Sequence, residues 1–171
     1  MKNFLTIKNN NGSTAIINKE HITTVPYNQH EMYIYTTSGK AEFIKKSHCL
    51  NFDEVLEEIK KINLLNLEKD NETILIAENK ISTIIISKNY ISFYTSVNGL
   101  PITFMEDEKY FERAKEIAEN LSFITIDKGE MLMKFSPESI EKIYQEMDRV
   151  VITTISGNTC RELAEKIKWN D

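Results

Sequence analysis

The chain repeats its own sequence pattern at intervals of about 59 residues. The stretch IYTTSG at 34–39 recurs as ITTISG at 152–157, and FYTSVNG at 93–99 lies midway between them. The identical residues that this shift superimposes include Ile22, Ile81 and Ile140, and Thr36, Thr95 and Thr154. Periodicity on this scale indicates copies of one supersecondary unit that stack to share their cores. We therefore expect a threefold internal repeat.

Each copy is predicted to contain four strands followed by a helix. The first copy spans residues 1–62, the second spans 63–121, and the third, which is shortened, spans 122–171. Short apolar stretches bounded by Asn- and Gly-containing turns, such as Asn98-Gly99, predict antiparallel hairpins. An apolar stripe at helical spacing closes each copy, and in the third copy it replaces the fourth strand. The predicted N-caps of the three helices are Asn51, Asp107 and Thr159.

The small size of each copy predicts that the copies fold together. A unit of about 59 residues buries its core poorly by itself. The chain has only 5 glycines and 3 prolines in 171 residues, and no Gly- or Pro-rich linker separates the copies. The sequence therefore predicts an α+β protein of three tandem β-β-β-β-α units, packed as one compact pseudo-threefold antiparallel assembly. The three repeated isoleucines are then expected at equivalent buried sites.

Charge and hydropathy argue against nucleic acid and membranes as partners. The net charge is −5, and no third of the chain is strongly basic, whereas phosphate backbones are bound by clustered Lys and Arg. No apolar run approaches the ~18 residues needed to span a bilayer, and the first residues do not resemble a signal peptide. The expected location is the cytoplasm, where Cys49 and Cys160 stay reduced.

The first copy carries a hairpin-and-helix pattern that is similar to a known family. The residues of the pattern, which precede a Glu-rich amphipathic helix, are Asn11-Gly12, Ile17-Asn18, Ile22, Val25, Thr36 and Gly39. This pattern resembles the FlbD-type family of small bacterial flagellar proteins over residues 4–62, more loosely over 63–121, and poorly over 122–171. The three fused copies and the absence of a basic tail depart from the family. The resemblance implies a bacterial structural or regulatory module, with a flagellar role as one option and no catalytic residues to carry over.

No arrangement of reactive side chains predicts catalysis, a metal site or a cofactor. The candidate metal ligands are His21, His30, His48 and Cys49. Their spacing matches no zinc motif, and the glycine-rich loops that bind phosphates are absent. Cys160 is expected at the start of the third helix, where a thiolate would be stabilised, although a small apolar filler is the simpler interpretation. The acidic run at 106–108 is explained by its position at the start of the second helix.

Tyrosines are the most prominent candidates for partner binding. Strand alternation points Tyr33 and Tyr35 to the face opposite Met32 and Ile34. Tyr94 is the counterpart of Tyr35 in the second copy. Large aromatic side chains on a sheet face are typical of partner-binding surfaces. The alternative, which the packing of three copies favours, is that this face is covered internally.

The leading hypothesis is a non-catalytic protein-interaction or scaffolding module that binds a protein partner or associates with itself. One alternative is a small-molecule-binding or enzymatic domain with a cleft between copies, lined by His21, His30 or Glu31. A second alternative is a nucleic-acid-binding protein similar to small barrels. It requires several lysines to converge on one face, namely Lys40, Lys45, Lys46, Lys60 and Lys61.

Overall fold

The computed structural model describes residues 3–95, 101–155, 157 and 159–169. These residues form a mixed α+β structure of mostly antiparallel strands with two α-helices. The chain divides into two compact bodies, Met1–Glu78 and Asn79–Asp171. The predicted Asn98-Gly99 turn lies outside the described residues.

The strands and helices follow one another in a recurring order. The elements of the first body are β1 Phe4–Lys8, β2 Thr14–Asn18, β3 Ile22–Tyr27, β4 Glu31–Thr36, β5 Ala41–Lys45, α1 Phe52–Lys60, β6 Leu64–Lys69 and β7 Glu72–Ala77. The elements of the second body are β8 Ile81–Ser87, β9 Tyr90–Thr95, β10 Ile102–Met105, α2 Phe111–Asn120, β11 Ile124–Asp127, β12 Met131–Phe135, β13 Ile140–Glu146, β14 Arg149–Thr154, β15 Thr159–Leu163 and β16 Ile167–Lys168. Single turns of 3-10 helix precede β3, β8, β13 and β16, and another lies between β5 and α1.

The strands form four antiparallel sheets. In the first body, β1 and β2 form a hairpin, and a five-stranded sheet has the order β5-β4-β3-β7-β6. In the second body, a six-stranded sheet has the order β10-β9-β8-β12-β11-β16, and β13-β14-β15 form a three-stranded sheet. The two larger sheets therefore share one plan, in which a three-stranded meander is joined by the hairpin that comes next in the chain.

We call the strand pair that connects a meander to the following hairpin a joint. The two joints, β3-β7 and β8-β12, have the same register. In the first body β3 pairs with β7, so that Thr24 lies opposite Ile76. In the second body β8 pairs with β12, so that Thr83 lies opposite Phe135. Both members of the second pair lie 59 positions after those of the first, and the neighbouring pairs keep this shift. The same pairing geometry thus occurs twice along the chain.

The first two segments have five strands each instead of the predicted four, because β3 and β8 were not anticipated. The third has six strands instead of three, because β13, β15 and β16 were not anticipated. Strands β3 and β8 are rich in β-branched residues, which suit a pleated sheet, whereas β13 contains mainly polar residues between its two isoleucines and Tyr144. Their first residues pair with equivalent threonines before the register shifts by one residue, and these pairs are Ile22 with Thr36, Ile81 with Thr95, and Ile140 with Thr154. Ile22 and Ile81 are buried, whereas Ile140 is half-buried.

The predicted third helix is wrong. Residues Thr159–Leu163 form strand β15, in which Cys160 pairs with Ile152 of β14. The expectation that the third copy lacks its fourth strand is therefore also wrong. The spacing of Leu163 and Ile167 was compatible with a helix, but a stretch this short is only marginally helical by itself. Pairing with β14 outweighs that weak local preference.

The predicted N-caps are also corrected. Asn51 precedes α1, but its side chain makes no capping hydrogen bond. Its amide instead bonds to strand β1, at the backbone of Thr6 and Lys8. Helix α2 begins at Phe111 with Tyr110 in the N-cap position, so Asp107 lies in the preceding turn and does not cap it.

Apolar side chains from β1, the β3-β4-β5 meander and α1 form the core of the first body. Helix α1 contributes Phe52, Val55 and Ile59, which are buried against Leu5 and Ile7 of β1 among others. In the second body, a cluster brings together Ile124, Ile126, Phe135, Ile152, Cys160 and Ile167. Each large apolar side chain buried in this way contributes about 1.5–3 kcal/mol to the stability of the folded state.

Candidate functional site

Strands β2 and β13 each have an open edge, whereas strands at equivalent positions are paired on both sides. In the described structure, β2 pairs only with β1, and β13 pairs only with β14. Their counterparts 59 positions away, β7 and β8, lie inside sheets with a neighbour on each side. We call Thr14–Asn18 the β2 edge and Ile140–Glu146 the β13 edge. An open edge presents unpaired backbone groups that can accept another strand.

The side chain of Ile16 on the β2 edge is far more exposed than its equivalents in paired strands. Its side chain is 66% exposed. The residues at the equivalent positions of β7 and β12, Leu75 and Lys134, are each only 5% exposed, and both lie opposite a strand of the preceding meander. Ile16 is thus exposed where β2 has no second neighbouring strand, whereas its equivalents in doubly paired strands are buried.

Ile143 shows the same contrast at the β13 edge. Its side chain is 43% exposed, whereas the equivalent residues Val25 of β3 and Ile84 of β8 are fully buried at 0%. The next residue, Tyr144, is also exposed. Apart from the half-buried Ile140, β13 is exposed along its whole length. The β13 edge thus displays apolar side chains at positions that are buried where a neighbouring strand is present.

A groove runs beside the β2 edge. It has a volume of about 590 Å³ and is lined by residues of β2, by Ile34, and by the turn that joins β4 to β5. His21 lies at this groove, where its Nδ1 is 2.8 Å from the Thr37 hydroxyl. Because Ile16 and Ile17 form one wall, the groove offers an apolar surface next to the unpaired backbone.

Two of the three predicted binding tyrosines lie together. The rings of Tyr33 and Tyr35 are 6.4 Å apart, and Tyr33 stacks on Phe43 with centroids 4.7 Å apart. Tyr35 and Phe43 are exposed. Sequence reasoning missed Phe43, although strand alternation and the β4-β5 register place it opposite Tyr33. Tyr94 lies in β9 of the second body, half-buried and opposite Thr83.

A second groove in the first body is polar. It has a volume of about 700 Å³ and lies where the end of β3 and the start of α1 meet the β6-β7 turn. His30 lines it together with Lys46 and Asp53, whose side chains form an ion pair at 2.6 Å. Asn71 from the second segment completes the wall. Of the residues expected in a cleft between copies, His30 is therefore at this groove, and His21 is at the groove beside β2.

The two cysteines are buried, with Cys49 in the first body and Cys160 in the second. Cys49 lies with its sulfur 3.5 Å from Asn51 Oδ1. Cys160 lies within β15, where burial raises the pKa of its thiol against the opposing effect of Lys128. The expectation that a helix N-terminus stabilises its thiolate is wrong, because no helix begins there. Within the described ranges, no group of three or more His, Cys, Asp or Glu side chains could hold a metal ion.

Carboxylates accompany several of the lysines on which nucleic-acid binding would depend. Lys46 pairs with Asp53, Lys60 with Glu57 at 2.9 Å, and Lys61 with Glu58 at 2.6 Å. Glu58 also binds Lys19 at 2.7 Å. These pairs reduce the positive potential that a phosphate backbone requires.

No helix in the part of the chain that the structure describes is long and apolar enough to cross a membrane. The resemblance to the FlbD-type family stays a prediction from sequence. No family model, no curated protein and no solved structure matches this chain.

Proposed function

We propose that this protein is a non-catalytic protein-interaction module that binds partner chains by strand addition at the β2 and β13 edges. The observation that carries this function is the exposure of Ile16 and Ile143 at positions that are buried elsewhere in the same fold. A strand added to either edge supplies backbone hydrogen bonds, and the adjacent apolar side chains provide selectivity.

The proposal includes the threefold repeat. Its support is the equivalent pairing of the three isoleucines with the three threonines, together with the equal registers of the β3-β7 and β8-β12 joints. In this interpretation, the first and second meanders each receive the hairpin of the following copy. Strand addition is then the way in which the copies already bind one another. The pseudo-threefold arrangement stays a prediction.

The aromatic surface of β4 and β5 is a second feature that suits a protein partner. Tyr35 and Phe43 are exposed beside the stacked ring of Tyr33, and exposed aromatic clusters are enriched in interfaces. We therefore include Tyr33, Tyr35 and Phe43 in the proposed binding surface, with Tyr94 as the corresponding residue of the second body.

The test is a comparison of the proteins that co-purify with tagged full-length chains from the native cell. The edge variants Ile16→Lys and Ile143→Lys place a charge where an added strand would bury the side chain. The control variants Leu50→Lys and Ile155→Lys change side chains that are also exposed, 70% and 58% respectively, but lie outside the two edges. Quantitative mass spectrometry then measures which partners are retained.

The proposal expects at least one abundant partner to be lost with an edge variant and kept with both controls. Tyr35→Ala is expected to weaken the same partner without changing the circular dichroism spectrum. Partners that bind all four lysine variants equally, or no co-purifying protein at all, would contradict the proposal.

The polar groove beside His30 supports a second candidate function, the binding of a small polar ligand. Its volume of about 700 Å³ lies within the range of small-molecule sites. Native mass spectrometry of the protein purified from its own cells would detect a retained ligand. If such a ligand is found, His30→Ala is expected to release it, while His48→Ala is expected to retain it. A ligand that both variants retain would exclude this groove.

A further inference from the structure

The two joints inside the chain predict how a third joint would form. In the first joint Val25 lies opposite Leu75, and in the second Ile84 lies opposite Lys134. The residue 59 positions after Ile84 is Ile143, which lies on the β13 edge. The residue 59 positions before Leu75 is Ile16, which lies on the β2 edge. The register of a joint between the β13 edge and the β2 edge is therefore already specified.

We propose that the β13 edge of one copy pairs with the β2 edge of a second copy, antiparallel and in this register. This inference rests on the proposed function and identifies the partner as the chain itself. It places Lys142 opposite Ile17, Ile143 opposite Ile16, Tyr144 opposite Ala15, and Gln145 opposite Thr14.

The side chains that this register brings together are compatible. Ile16 and Ile143 are both exposed in the isolated chain, and facing each other they form an aliphatic cross-strand pair of the kind that stabilises sheets. Tyr144 meets the small side chain of Ala15. No two charges of the same sign face each other. The pairing thus buries the two isoleucines that the fold otherwise leaves exposed.

Two of the three charged residues of β13, Lys142 and Glu146, have partners within their own sheet, and the third, Glu141, would lie opposite the uncharged Asn18 in this register. The ammonium of Lys142 lies 4.6 Å from the ring centroid of Tyr144, and Glu146 forms an ion pair with Arg161 of β15. Charges on an edge strand oppose strand addition when they must be buried unpaired. Lys142 and Glu146 already have partners within their own sheet, so strand addition would leave neither charge unpaired.

The backbone pattern at the end of an existing joint extends the prediction. In the second joint, the N–H of Ser136 donates to the carbonyl oxygen of Ser82 at 3.1 Å. The equivalent residues at the new joint are Asn18 and Glu141. We therefore expect the Asn18 N–H of one copy to donate to the Glu141 carbonyl of the other.

This contact is heterologous, since it joins two different surfaces of the same chain. After two copies pair, one β2 edge and one β13 edge remain open. Such contacts generate closed rings or open-ended assemblies. Sedimentation velocity of the full wild-type chain should therefore show species larger than a monomer that grow with concentration, or a ring of constant size.

Two variants test whether each contact joins one β2 edge to one β13 edge. Because each contact needs one edge of each kind, Ile16→Lys alone and Ile143→Lys alone are both expected to be monomeric. Mixing the two leaves one intact β2 edge and one intact β13 edge, so that the mixture is expected to form a dimer and nothing larger. Leu50→Lys and Ile155→Lys are expected to sediment like the wild type.

Each alternative contact gives a different pattern and overturns the proposal. A symmetric β2-β2 contact would leave Ile143→Lys dimeric, and a symmetric β13-β13 contact would leave Ile16→Lys dimeric. A wild-type chain that is monomeric at every concentration overturns head-to-tail pairing. In that case, partner proteins that co-purify with the wild type and are lost only from the edge variants would still support the proposed function. Failure of self-pairing can therefore be distinguished from failure of the proposed function.

A disulfide tests the register without depending on the lysine variants. Side chains directly opposite in an antiparallel pair have Cβ atoms about 4.5–5.5 Å apart, and a disulfide needs about 3.5–4.5 Å, a gap that small backbone adjustments close. Mixing Ile16→Cys with Ile143→Cys under mild oxidation should therefore yield a covalent dimer. Thr14→Cys with Ile143→Cys should cross-link far less, because Thr14 is two residues away from the predicted position. Equal cross-linking of both mixtures overturns the register.

Discussion

The side chain of Asn51 binds the backbone of strand β1 on both sides of Ile7. Its Oδ1 accepts a hydrogen bond from the N–H of Lys8 at 2.9 Å, and its Nδ2 donates to the carbonyl of Thr6 at 2.9 Å. At the outer edge of β1 this amide acts beside the Leu50 N–H, which donates to the Lys8 carbonyl at 2.8 Å. It joins the start of helix α1 to the first hairpin.

Removing this amide is expected to destabilise the first body. Asn51→Ala leaves two backbone groups of β1 without their protein partner, and the loss should be about 1–2 kcal/mol. Urea unfolding followed by circular dichroism measures it. Asn89→Ala is the control, because Asn89 is an exposed turn residue and should cost less than about 0.5 kcal/mol. Equal losses in the two variants would show that the bonds to β1 contribute nothing.

Glu58 is expected to titrate at unusually low pH. Hydrogen bonds and charge from Lys19 and Lys61 lower the pKa of its carboxyl from 4.5 to about 2. A carboxylate with a lowered folded-state pKa stabilises the protein above its unfolded pKa, and this contribution is lost as the pH falls toward 2. Carboxyl-carbon NMR should therefore place the midpoint of Glu58 near 2 at low salt. The midpoint should rise with added salt, since the pair is largely exposed. A midpoint of 4.5 would contradict the ion-pair geometry.

Lys134 is expected to make the free energy of unfolding increase with pH in the alkaline range. Its ammonium is buried and donates to the carbonyls of Ala118 and Glu119 at the end of α2, each at 2.8 Å. Burial lowers its pKa below the ordinary 10.5. Between the lowered folded-state pKa and 10.5, the unfolded chain binds more protons than the folded one, so the free energy of unfolding increases with pH. Unfolding measured from neutral pH to pH 10 should show this increase for the wild type relative to Lys134→Met. Parallel curves for the two proteins would refute the assignment.

Both cysteines are expected to resist alkylation in the folded protein. Cys49 and Cys160 are buried, and the raised pKa of Cys160 reduces its thiolate fraction further. Mass spectrometry after N-ethylmaleimide treatment should find little modification in buffer and two adducts in denaturant. Rapid labelling of Cys160 under native conditions would indicate that β15 opens readily from β14.

Local sequence patterns were sufficient for hairpins such as β1-β2 and β4-β5 and for two helices. The glycines at the predicted turns, such as Gly12 and Gly39, adopt positive φ, a conformation that side chains with a Cβ disfavour. The apolar stripe of Phe52, Val55 and Ile59 faces the core as its helical spacing indicated. These features depend on residues only a few positions apart, so the chain itself specifies them.

The tertiary structure decided which strands pair and which stretches become strands at all. Strand β3 pairs with β7 some fifty positions later, and Thr159–Leu163 became a strand because β14 lies beside it. Asn51 resembled a helix cap, yet its amide bonds to β1. Sheet hydrogen bonds join residues that are distant in sequence, and therefore no local pattern specifies the partner. The sequence determined the period, the turns and the apolar faces. Only folding decided that the β2 and β13 edges stay open, because an edge is defined by the neighbour it lacks.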